Sequence, residues 1–496
     1  MAQYSKEDIV NSVPQKGFFG HPKGLFTLFF TEFWERFSYY GMRAILLFYM
    51  YYEVSKGGLG LDEGTAASIM AIYGALVYMS GIIGGWIADR LLGGTSTVFY
   101  GGVLIMFGHI ALSLPGSLTA FFISMALIII GTGLLKPNVS NVVGDLYAPE
   151  DYRRDSGFSI FYMGINLGAF LSPLIVGTVG QEINFHAGFA IAAVGMFFGL
   201  ITFMVTKKKY LGLAGKNVPN PLTKVERSKT YKRAGIGAVI VIAFFAITIP
   251  TGIMTINRLT YLVSFLGLSI PTAYFIVMYR NKKTTKDEKS RLLAYIPLFV
   301  ASMIFWSIQE QGSIILAQYA DQRVDLSLSG FAIQSSWFQS LNPLFIIFLA
   351  PVFAWLWIRL KRKQPSTPQK FAFGLMFAGV SFLILVIPAL TNGDNLVNPL
   401  WLVVSFFIVV IGELLLSPVG LSATTKLAPA AFASQTMSLW FLSNAAGQAM
   451  NAQLVKLYNI NTEIAYFGVL GGVSVLLGVI LFLFSPKISK LMKGVL

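Results

Sequence analysis

Glu32-Phe33-Trp34-Glu35-Arg36-Phe37-Ser38-Tyr39-Tyr40-Gly41-Met42-Arg43 lies in the middle of a long apolar stretch. A charge at the centre of a bilayer costs at least ~2.5 to 3.5 kcal/mol. Four charges within these twelve residues therefore cannot face lipid. At about 100° per residue, Glu32, Glu35, Arg36, Tyr40 and Arg43 share one arc of roughly 140°. Phe33, Trp34, Phe37 and Gly41 occupy the opposite face. A membrane helix with a charged stripe must line a polar cavity or pair with other helices. Glu32 and Arg36, at i and i+4, could simply brace each other. Four charges exceed what one brace requires.

The rest of the chain explains the setting of this helix. The 496 residues are 55% hydrophobic and only 12% charged, with mean hydropathy +0.68. A soluble chain carries about 25% charged residues. Disorder, collagen and coiled coil are excluded by the same figures. Fourteen stretches are apolar and long enough to span: 25–53, 64–89, 96–114, 118–144, 153–178, 187–206, 233–253, 257–279, 292–319, 330–358, 371–391, 398–424, 430–456 and 464–485. Backbone groups in lipid must be satisfied internally, so an all-α integral membrane bundle is expected. Short alternating segments of a β-barrel are absent from the sequence.

The net charge of +15 would suggest nucleic acid in a soluble protein. Position removes that reading. With both termini cytoplasmic, 30 of the 37 basic residues fall in inside loops, four fall outside and three lie within helices. The amino-terminal segment lacks a signal-peptide core, so the first hydrophobic helix is expected to act as its own insertion signal. No cysteine is present, which removes disulfides and thiolate metal sites. The basic loops 207–233 and 280–291 bracket a central helix pair, leaving six helices on either side. The expected domains are an N-terminal six-helix bundle (1–210), basic linkers with the inserted pair (211–290) and a C-terminal six-helix bundle (291–496). The pair carries no intramembrane charge and is expected at the periphery, outside the pathway.

Three other helices hold lone ionisable residues: Lys136 before Pro137, Glu310 and Glu413. Each is costly unless paired, and each is a candidate functional residue. A protonated packing carboxyl, or a snorkelling lysine, is the bland alternative. The intramembrane charges sum to −1, so at least one carboxyl lacks a fixed cation and could carry a proton. His109 stands alone in an apolar helix, and the carboxylates are better proton carriers. Arg36, Arg43 or Lys136 could hold a carboxylate, Glu413 an amine, and Asn166 and Asn342 further polar groups of a bound solute. Tyr40, Tyr78, Trp306 and Trp440 could offer apolar walls with polar edges. Pro137, Pro173, Pro297, Pro343 and Pro418 mark expected bending points.

Two motifs carry a resemblance. Glu32-x-x-Glu35-Arg36-Phe37-x-Tyr39-Tyr40 and Phe161-Tyr162-x-x-Ile165-Asn166-x-Gly168 resemble the paired signatures of the proton-dependent oligopeptide transporters, a branch of the major facilitator superfamily. Gly85-x-x-x-Asp89-Arg90 resembles that superfamily's loop motif. The resemblance implies two six-helix bundles plus two central helices. It implies a symporter that imports di- and tripeptides by alternating access, in the inner cytoplasmic membrane, active as a monomer, with the proton as co-transported ion and no other cofactor or metal. Glu32, Glu35, Arg36 and Glu310 would couple protons. Arg43–Glu310 and Lys136–Glu413 would be gate salt bridges. Asn166, Asn342, Trp440 and Ser443 would join the peptide site. A relative for another solute such as nitrate is the alternative, with a membrane enzyme or channel further off: no catalytic cluster or selectivity filter is visible in the sequence.

Overall fold

The structure, a computed structural model, describes residues 4–494 apart from 117, 149, 329–330, 361–362, 394 and 430–431. Its first half contains α1 (Lys6–Asn11), α2 (Gly24–Tyr51), α3 (Glu63–Ile87), α4 (Gly94–Ser113), α5 (Leu118–Asp145), α6 (Arg154–Ser172), α7 (Thr178–Glu182) and α8 (Phe185–Thr206). The central pair is α9 (Lys224–Thr248) and α10 (Ile256–Arg280). The second half contains α11 (Lys286–Gln309), α12 (Ile315–Arg323), α13 (Leu341–Leu360), α14 (Thr367–Asn392), α15 (Leu400–Leu427), α16 (Ala433–Leu454) and α17 (Glu463–Leu491). A minute antiparallel hairpin pairs Ser327–Leu328 with Phe331–Ala332.

Twelve helical runs among the described residues are long and apolar enough to cross a membrane. The two further spans expected from the sequence are α2 and α16, and both are helical. They fall short for a chemical reason: α2 carries Glu32, Glu35, Arg36 and Arg43, and α16 carries Asn444, Gln448 and Asn451. The least lipid-like helices are the ones that hold the polar machinery.

Two spans are interrupted. α6 passes through a π-helical turn at Pro173–Gly177 before α7. Proline cannot donate the next helical bond, so the turn widens there. α11 ends in a 3₁₀ turn at Glu310–Ser313 before α12 begins. Pro137, Pro297 and Pro418 lie inside helices as expected. Pro343 instead marks the switch from the 3₁₀ turn Ser335–Ser340 into α13.

The chain forms two compact units. The first comprises 1–38, 80–165 and 190–262, and the second comprises 39–79, 166–189 and 263–496. Their boundaries cut through α2, α3, α6, α8 and α10 rather than falling in loops.

In the first unit, α4 and α5 meet backbone to backbone. A Cβ on Gly101 would stand 2.6 Å from the Gly131 carbonyl oxygen. Gly84 on α3 faces Gly133 on α5 still more closely. Small residues permit this approach, which in lipid replaces hydrophobic driving force by close packing. Leu25, Leu28, Ile105, Leu135, Val139 and Phe203 fill the space around these contacts. The amino-terminal segment docks on the same unit. Lys6 reaches Asp145 at 3.1 Å, and His21 Nδ1 lies 3.0 Å from the Tyr147 hydroxyl. Asp89 and Arg90 face the basic linker: the Asn220 amide donates to the Asp89 carbonyl, and Arg90 stands 4.0 Å from Glu226.

In the second unit, Gly379 of α14 and Gly471 of α17 repeat the small-residue contact, with a Cβ on Gly471 falling 2.7 Å from the Gly379 carbonyl. A buried Arg323–Glu463 pair at 2.8 Å ties α12 to α17, and the same guanidinium donates to the carbonyls of Gly393 and Asn395. The central helices differ from each other. α9 buries only Thr248. α10 packs against α16: Ser264 donates to the Ala449 carbonyl at 2.7 Å, and Gly267 abuts the Ala449 side chain. Both helices are largely exposed, and α10 differs in touching α16.

Candidate functional site

The charged stripe of α2 supplies two buried clusters, one in each unit. In the first unit, Arg36 Nε donates to Glu32 Oε1 at 2.7 Å and stands 2.9 Å from Glu35 Oε2. All three side chains are almost fully buried. Arg36 thus serves two carboxylates with one positive charge. Glu35 touches the guanidinium, but neither of its oxygens accepts a hydrogen bond, and Glu32 Oε2 lacks a donor too. A buried carboxylate without hydrogen-bond donors is costly unless cations face it. Lys136, on α5 immediately before Pro137 and in the same unit, adds a second positive charge that acts on Glu35.

Two turns further along α2, in the second unit, Arg43 donates to Glu310 Oε2 at 2.6 Å. Both residues are buried, with exposures of 6% and 7%. Glu310 lies at the break between α11 and α12, where the helix ladder is interrupted and its carboxylate is presented to several neighbours. Tyr78 of α3 donates to Oε1 at 3.3 Å, Asn444 of α16 donates to Oε1 at 3.1 Å, and Gln448 donates to Oε2 at 2.8 Å. Glu413 on α15 is held by amides: Asn342 of α13 donates at 3.1 Å and Gln309 of α11 at 3.2 Å.

The remaining sequence candidates fall as follows. Tyr40 lies edge-on to Tyr39, whose ring stacks near Tyr73. Asn166 is buried on α6 in the second unit. Trp306 packs beside Phe305 one turn before Glu310. Trp440 covers Gly420 and meets Phe371 edge-on. Ser443 spends its hydroxyl within the α11–α16 contact, 2.8 Å from Ser302 Oγ. The neighbouring residue Asn444 is the one that faces Glu310. His109 is fully buried, with neither ring nitrogen hydrogen-bonded.

Sequence reasoning missed Gln309, Asn444 and Gln448, as well as a carboxylate at the far end of α2. There Asp321 of α12 accepts from Tyr51 at 2.6 Å, from Tyr52 at 2.9 Å and from Ser335 at 3.0 Å. The signal for the α16 amides was present. Asn444, Gln448 and Asn451 recur at i, i+4 and i+7, the spacing of one helix face.

Long apolar helices, glycine-mediated packing and ionisable residues buried among the helices mark a multi-pass membrane protein. The POT family profile matches residues 95–471. An uncharacterised transporter of Bacillus subtilis, YclF, is 65% identical over 496 residues, covering 100% of both chains. The di-/tripeptide transporter of Lactococcus lactis subsp. cremoris is 47% identical over 489 residues, covering 97% of this chain and 98% of its own. Among solved structures, a peptide transporter with a glutamate-to-glutamine substitution, in complex with alafosfalin, superimposes with TM-score 0.96 at 64% identity, covering 99% of this chain and 100% of that one. The chain belongs to the POT family.

Proposed function

We propose that the protein is a proton-coupled symporter importing di- and tripeptides by alternating access, with both termini cytoplasmic, in the cytoplasmic membrane. The family, the relative named as a di-/tripeptide transporter and the distribution of basic loops support this reading. The two six-helix bundles, 1–210 and 291–496, would rock about a midplane site. The monomer is the proposed working unit.

The observation that carries the coupling is the poor hydrogen-bonding of the two carboxylates beside Arg36: both are buried, and three of their four oxygens accept no hydrogen bond. Lys136 acts on Glu35 as a second cation. A substrate carboxylate arriving at Arg36 or Lys136 would displace one glutamate and favour its protonation. Glu310 would serve the same purpose on the other cluster, trading Arg43 for a proton. Arg43 and Lys136 are the further cations for the peptide carboxylate.

Glu413 is proposed to receive the peptide amine. Its neighbours in the second unit are the neutral amides of Asn342 and Gln309, so its negative charge is available to a substrate ammonium. Tyr40, Tyr78, Trp306 and Trp440 would tolerate variable side chains, and Asn166 would hydrogen-bond the backbone. Ser443 contributes through the packing of α16.

Binding to the detergent-solubilised protein tests the assignment. Dialanine should bind, whereas dialanine with either terminus blocked should bind at least tenfold more weakly, as expected for loss of a charge-assisted contact of ~1.5 to 3 kcal/mol. Equal binding of free and doubly blocked dipeptide would refute terminal-charge recognition.

A further inference from the structure

The partners of Glu310 differ in kind. Arg43 can only donate hydrogen bonds. Once Glu310 takes up a proton, Arg43 cannot accept that proton's hydrogen bond, and the buried acid needs another acceptor. Asn444 and Gln448 are amides, each with a donor and an acceptor end. Their NH₂ groups face the carboxylate. Their carbonyl oxygens, Asn444 Oδ1 and Gln448 Oε1, are buried and accept no hydrogen bond. Asn444 is 4% exposed and Gln448 0%, so two acceptors are held in reserve beside the proton-binding group.

The space around Gln448 is also provided for. A Cβ on Gly74 of α3 would fall 2.6 Å from Gln448 Nε2. A side chain there would push the amide off Glu310.

We propose that Asn444 and Gln448 are positioning residues that form a reversible amide cradle for Glu310. They donate to its carboxylate, and after a half-turn of one terminal amide they accept the hydrogen bond of its neutral acid. Glu310 can then release Arg43 on protonation with the proton of its own buried acid still hydrogen-bonded. The inference rests on the reading of Glu310 as a proton carrier. The charged and titratable groups around it are Arg43, Tyr39 and Tyr40 on α2, Tyr78 on α3 and Glu413 on α15. The Tyr78 hydroxyl can also reverse its role, but at 3.3 Å it is the most distant partner.

The cradle treats the two protonation states unequally. Hydrogen bonds to an ionised group are about twice as strong as neutral ones. Deleting both amides removes two charge-assisted bonds from the carboxylate and two weaker, neutral ones from the acid.

The test is the pH profile of dialanine uptake into proteoliposomes under a fixed inward proton gradient. Wild type is compared with Asn444→Leu, Gln448→Met, the double variant and Gly74→Ala. The double variant should move the alkaline limb upward by about one pH unit, and Gln448→Met alone should move it by less. Gly74→Ala, which keeps both amides and displaces one, should shift it in the same direction. Profiles lowered equally at every pH, with unmoved midpoints in Gln448→Met and Gly74→Ala, would overturn the proposal and leave a purely structural role. Wild type that takes up no dialanine would overturn the transport reading, and the cradle with it.

Discussion

Replacing Asp321 by alanine should loosen the far end of α2 from α12. The Asp321 carboxylate accepts from Tyr51 at 2.6 Å, Tyr52 at 2.9 Å and Ser335 at 3.0 Å. A bond to a charged acceptor contributes ~1.5 to 3 kcal/mol when buried. Asp321 is only partly buried, so about 1 kcal/mol for each tyrosine is a fair discount. Ser335 is on the same side of the contact as Asp321 and does not oppose its separation. The two tyrosine bonds together therefore hold the observed contact of α2 with α12 by about 2 kcal/mol, which is roughly a thirtyfold change in the equilibrium between contact and separation. The chain has no cysteine, so a pair introduced at Val54 and Leu396, both exposed, can be spin-labelled without further engineering. Double electron–electron resonance should show one short distance in the parent. Asp321→Ala should add a longer component, and Tyr51→Phe should do so more weakly. Identical distance distributions in all three would refute the argument that these hydroxyls hold the far end of α2 to α12.

Other consequences are open to direct test. Glu413→Gln should raise the KM for dialanine by about tenfold to a hundredfold, through loss of a charge-assisted bond to the amine. It should leave the KM for N-acetylated dialanine nearly unmoved, as measured by initial uptake rates. His21 is held below the ordinary histidine range, chiefly by burial and then by the nearby Arg153 charge. Its neutral form is the folded one, so its contribution is present above about pH 6.5 and lost as pH falls through the depressed folded value. Hydrogen exchange at residues 18–24 should accelerate on acidification, and His21→Phe should remove that dependence. Gly84→Leu would place a side chain against the Gly133 backbone. It should destabilise the first unit by at least ~1 to 3 kcal/mol, read as a lowered Tm in detergent.

The sequence made the scaffold legible wherever composition and period spoke alone. Apolar length found the spans, and the α2 stripe was visible because charges in lipid are so costly. It marked Arg43, Glu310 and Glu413 for the same reason. Proximity in space was not legible. Nothing in the chain order says that Arg43 meets a glutamate 267 positions away, or that two tyrosines at the end of α2 meet Asp321. The α16 amides were overlooked because neutral polar residues carry a weak penalty compared with charges, although their i, i+4, i+7 spacing was on display. Ser443, and not Asn444, was named from the family resemblance. One position along a helix turns a side chain by about 100°, enough to aim it at α11 instead of Glu310. The contact of α10 with α16, through the Ser264 hydroxyl and the close approach at Gly267, was likewise not legible.

Accumulation of dialanine in proteoliposomes, driven solely by an imposed inward proton gradient, tests proton-coupled import most directly. Wild type should concentrate the dipeptide above its external level and lose that ability when the gradient is collapsed, whereas Glu310→Gln should exchange labelled for unlabelled dipeptide without accumulating it. Equilibration without accumulation in wild type, or undiminished accumulation by Glu310→Gln, would contradict the account.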